Sequence, residues 1–152
     1  MHKPWLPAVI LALYTALLIK LLVFKIEMLR IGHLRFRFAP HIGEANYVPF
    51  KSILFNLRGE PTWSIAILNL GGNIALFVPI GLLLPLVFRN LAWRVSLALA
   101  LALGLAVEAL EVGFHLGIFD IDDLILNSLG VVIGCWASRA LVSRGRPRLR
   151  PS

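Results

Sequence analysis

Four stretches of about twenty mostly apolar residues, 5–24, 65–88, 95–116 and 124–142, constrain this chain more than any other feature. A hydrocarbon layer roughly 30 Å thick needs about 20 residues of helix to cross it. In lipid the backbone must satisfy its own hydrogen bonds, and none of the four runs alternates strictly as a barrel strand does, so helices are the expected form. The sequence therefore reads as an all-α, polytopic membrane helical bundle with four transmembrane helices and a long extracytoplasmic first loop, a single domain over residues 1–152. The apolar fraction of 59% agrees, because a soluble globule of this length carries less. Pro79 and Pro85 are expected to bend the second span, and Gly130 and Gly134 form a small-xxx-small pair suited to close helix contact in the fourth.

The net charge of +7 does not point to nucleic acid, because the basic residues sit in loops and tails rather than along one face. Lipid is the expected partner. With four spans both termini share a side with Arg89 and Arg94; that side also holds Lys3, Arg139, Arg144, Arg146, Arg148 and Arg150, eight basic residues against six (Lys25, Arg30, Arg35, Arg37, Lys51, Arg58) on the other. Basic residues near span ends stay inside, so both termini are expected in the cytoplasm, with the multi-pass chain in the cytoplasmic (inner) membrane. The arginine-rich tail is expected to be disordered and to meet anionic lipid. The run after His2 and Lys3 is long for a signal peptide and lacks a small-x-small cleavage site, which favours a retained anchor. Cys135, the only cysteine, allows neither an intrachain disulfide nor a thiolate metal site. Residues 34–38 alternate strictly, as an extended interfacial segment would.

Ionisable and amide side chains inside the spans stand out, since each charge costs about 2.5–3.5 kcal/mol at a helix centre. Glu108, Glu111 and His115 share a narrow face of the third span; Asn69 and Asn73 are one turn apart on the second, as are Asp123 and Asn127 on the fourth. Counted at about 1.5 Å per residue, the three spans bring these groups to one level in the outer half of the bilayer. The asparagines can equally be interhelical glue, and Asp120, Asp122 and Asp123 an exposed turn with a helix cap. The glutamates have no such alternative. Between residues 65 and 138 the only basic residues are Arg89 and Arg94, on the opposite side, so five carboxylates lack a nearby counter-ion. Protonation, a divalent cation, or a first loop folding over the site with Lys51 and Arg58 would each neutralise them. The last is the expectation taken here.

Several stretches resemble the VanZ-like family of bacterial membrane proteins: Asn46-Tyr47-Val48-Pro49-Phe50, the run from Asn69 through Asn73, Phe77, Pro79 and Gly81 to Pro85, Glu108-Ala109-Leu110-Glu111, and the run from Phe119 through Asp120, Asp122, Asp123 and Asn127 to Gly130. The resemblance spans more than half of the chain, and its specificity lies in the order and spacing of the motifs. It implies an all-helical protein with a polar extracytoplasmic site at Asn46, Asn69, Asn73, Glu108, Asp120, Asp122, Asp123 and Asn127, and a link to resistance against the glycopeptide teicoplanin. Glu111 stands where the family commonly has Gln, and Gly117 where it commonly has Arg, which makes this site more acidic and implies a cation or proton as its missing partner.

Three functions follow as expectations. The first is binding or remodelling of a lipid-linked cell-wall precursor or glycopeptide at the outer leaflet, which rests on the resemblance. The second is a carboxylate-dependent intramembrane enzyme, with or without a metal, acting on a lipid headgroup. No nucleophile beside a base and no tight metal-ligand spacing supports it. The third is a proton or cation carrier, for which a four-helix unit would have to oligomerise.

Overall fold

The computed structural model describes residues 5–23, 45–88, 92–114 and 118–144. Residues 34–38, the basic residues 25, 30, 35, 37 and 89, His115, Gly117 and the tail beyond residue 144 lie outside these, as does the side chain of Glu111. The described residues form five helices: α1 (Trp5–Val23), α2 (Lys51–Leu57), α3 (Trp63–Val87), α4 (Trp93–Gly113) and α5 (Ile121–Arg144). Three stretches are long and apolar enough to cross a membrane, Trp63–Val87, Trp93–Leu110 and Ile121–Leu141, whereas the apolar stretch Trp5–Leu21 is shorter.

Helix starts differ from the edges of the apolar runs for a physical reason. Hydropathy marks where lipid begins, but hydrogen bonding begins at a cap. The Thr62 hydroxyl accepts from the Ile65 N–H, so α3 starts at Trp63. Asp120 plays the same part for α5, accepting the Asp122 N–H at 2.9 Å. Helix α2 was not expected inside the first loop. It ends in a Schellman turn, in which Gly59, at φ 76°, donates to the Asn56 carbonyl at 2.8 Å and Glu60 to that of Phe55 at 3.4 Å. Helix α3 runs unbroken through Pro79 and Pro85.

Packing centres on α3 and α5, which run parallel and touch through glycines. A Cβ on Gly130 would overlap the Ile74 carbonyl, one on Gly134 the Val78 carbonyl, and one on Gly81 the Val131 carbonyl. Such backbone approach is how helices gain van der Waals contact when lipid removes the hydrophobic drive between them. Helix α4 lies antiparallel on α5, with Gly104 against Leu124 and Asn127. Helix α1 packs on α3 and α4, and its Tyr14 hydroxyl donates to the Leu76 carbonyl at 2.8 Å. Leu18, Phe77, Val107 and Val131 form the centre of the core. The outer faces are apolar too, as Ile67, Leu105, Trp136 and Leu141 show by their exposure.

Candidate functional site: a buried acid and amide cluster

The start of α3, the end of α4 and the start of α5 share one end of the bundle, and the first-loop motif closes over that end through its backbone. Asn46 and Asp120 form an isolated parallel bridge, the Asn46 N–H donating to the Phe119 carbonyl at 2.8 Å and the Ile121 N–H to the Asn46 carbonyl at 3.0 Å. Tyr47 stacks on Phe119 with ring centroids 5.3 Å apart. The Asn46 side chain accepts the Val48 N–H at 3.1 Å, a local turn that aims the chain toward α2.

Asp120 is the hub. Besides capping α5, its carboxylate accepts from Asn46 Nδ2 at 2.8 Å and from the Ser52 hydroxyl, while its own N–H donates to Glu108 Oε2 at 3.1 Å. Asp122, fully buried, accepts the backbone N–H groups of Phe50, Ser52 at 2.7 Å and Ile53 at 3.1 Å. Phe50 adopts φ 68°, a left-handed conformation that a bulky residue rarely takes. Followed by helix, it turns the N–H groups of residues 50, 52 and 53 toward one point and so makes a small anion nest for the carboxylate.

The two asparagines of α3 serve different partners. Asn73 Nδ2 donates to Asp123 on α5, whereas Asn69 Nδ2 donates to Asn56 on α2 at 3.3 Å. Asn56 in turn donates to the Ser52 carbonyl at 2.8 Å. Glu108 is 3% exposed and sits five residues before the end of α4. Asn127 is equally buried, but its Oδ1 has no hydrogen-bond partner among the described residues, nor has the hydroxyl of the adjacent Ser128. Among the described residues these two buried side-chain oxygens are uncommitted.

Two expectations change. The Asp120 to Asp123 stretch is not an exposed turn, since Asp120 and Asp122 are buried. Lys51 and Arg58 are exposed, and among the described residues no ion pair joins them to Asp120 or Asp122. The first loop does reach the site, but to Asp120 and Asp122 it brings neutral hydroxyl, amide and backbone donors, whose dipoles are fixed in place and carry no desolvation cost of a second ion. Ser52 and Asn56 are members that the sequence reading missed. Their one-turn spacing was the available signal. Among the described residues no three His, Cys, Asp or Glu side chains group as a metal site.

Fold and cluster together define an all-helical membrane protein whose first loop is hydrogen-bonded into one end of its bundle. The chain belongs to the VanZ/LLP1 family, whose model matches residues 11–142. Protein VanZ of Enterococcus faecium is 30% identical over 125 residues, which cover 82% of this chain and 68% of that relative. No solved structure matches the chain.

Proposed function

We propose that this chain is a cell-envelope protein of the cytoplasmic membrane that binds or remodels a lipid-linked cell-wall component or a glycopeptide at the outer leaflet. In this reading α1 is a fourth span and both termini are cytoplasmic. The observation that carries it is the meeting of the family-type motif residues Asn46, Glu108, Asp120 and Asp122 in one buried network, with the Asn127 Oδ1 left without a partner further along α5. A buried amide oxygen without a partner is costly, and such groups persist where something else uses them.

The test is teicoplanin susceptibility of a sensitive host expressing the chain. Expression should shift the inhibitory concentration at least fourfold, and Asn73→Ala or Asp123→Ala should erase the shift at unchanged membrane levels. A host indifferent to the wild-type chain rejects the reading. Reporter fusions at the two ends check the topology: both should report cytoplasm, and a split result removes the fourth span.

A further inference from the structure

Residues 46–58 carry their polarity the wrong way round for a loop in water. Their buried members are polar, Asn46 and Asn56 at 8% exposure each, with Ser52 half-buried. Apart from Pro49 and the two charged residues Lys51 and Arg58 at the ends of α2, their exposed members are large apolar side chains: Tyr47, Val48, Phe50, Leu54, Phe55 and Leu57. An aqueous loop sorts these the opposite way. Hydrocarbon outside and protein inside accounts for the inversion.

Most of the backbone meets the condition that such a position sets. Non-helical chain at membrane depth is tolerated only where its N–H and C=O groups are satisfied by protein. Here Asn46 is bridged to residues 119 and 121, Asp122 takes the N–H groups of Phe50, Ser52 and Ile53, and Gly59 closes the far end of α2. Depth is fixed by Asn56, which is bonded to Asn69, six residues or roughly 9 Å along α3 from its start. Helix α2 therefore lies beside the first turns of a candidate span, not above it. Trp63 and Ile67, in the first turns of α3, are exposed apolar residues as well. Lys51 and Arg58, exposed at the two ends of α2, can keep their charges at the headgroups while their stems lie in lipid.

We infer that residues 46–58 are a re-entrant segment seated in the bilayer, its polar edge solvated by Asp120, Asp122 and Asn69 and its apolar face covered by acyl chains. This rests on the membrane class of the protein and not on the cell-wall reading.

Single cysteines test it in the Cys135→Ala background. Val48→Cys, Leu54→Cys and Leu57→Cys report the apolar face and Arg58→Cys the rim, in nanodiscs of phosphatidylethanolamine and phosphatidylglycerol, where both faces are open to reagent. A charged, membrane-impermeant maleimide should label the three apolar sites at least tenfold more slowly than the rim site. A bimane on each should be quenched at least twofold by acyl-brominated lipid. Labelling at the rim rate overturns the inference, and so does protection without quenching, which would place protein instead of acyl chains over this face. Any variant that is not monodisperse is replaced by Tyr47→Cys or Phe55→Cys on the same face.

Discussion

At Asp122 three backbone N–H groups converge on one carboxylate with no exposed surface. Leaving buried donors unpaired costs about 1–3 kcal/mol apiece, so Asp122→Ala should destabilise the protein by several kcal/mol. Asp122→Asn should not rescue it, because an amide turns an N–H toward donors where an acceptor is needed. The melting temperature in one detergent measures both; an Asn variant melting like wild type would show that the charge is dispensable. Asn127 is the opposite case. Its Oδ1 already lacks a partner, so Asn127→Leu removes an unsatisfied group and keeps the branched heavy-atom shape. Its melting temperature should hold or rise while any envelope phenotype is lost. A phenotype that survives would make Asn127 a packing residue.

Between elements, the glycines separate into those that helices need and those they do not. Gly134 has the Val78 carbonyl against the place of its missing Cβ, so Gly134→Ala should force α3 and α5 apart at about 1–3 kcal/mol. Gly71 faces open space, and Gly71→Ala should be neutral or gain up to about 1 kcal/mol from helix propensity. Thermal melts of the pair in one detergent check this, and equal losses would place the close contact elsewhere. Gly130 and Gly134 were legible in the sequence because small residues four apart mark a helix interface; their partner Gly81 was not, since only the register of α3 against α5 reveals it. The long apolar helices were legible because lipid imposes length and polarity together. Helix α2 was not, because its seven residues present mostly apolar side chains outward and one hydroxyl and one amide inward, a pattern that reads as noise until its surroundings are known.

For the molecule as a whole, depth alone grouped Asn69, Asn73, Glu108, Glu111, Asp123 and Asn127, and Asn46, Asp120 and Asp122 joined them only through the resemblance, but the sequence could not say who pairs with whom. The expected counter-charges and the observed neutral donors make different predictions about coupling. One chain of hydrogen bonds runs from Asn69 on α3 through Asn56 and Ser52 on α2 to Asp120 before α5 and on to Glu108 on α4. Perturbing two members of one network should be non-additive by about 0.5–3 kcal/mol, whereas distant exposed sites add. A double-mutant cycle of Ser52→Ala with Glu108→Gln should therefore show coupling, because both act through Asp120. Cycles of Lys51→Ala or Arg58→Ala with Glu108→Gln should be additive, and each single loss of charge should stay within about 0.5 kcal/mol of wild type, as for other exposed substitutions. Unfolding free energies in mixed micelles supply all three cycles. Coupling confined to the basic residues would mean that charge, and not the neutral donors around Asp120, ties the first loop to the bundle.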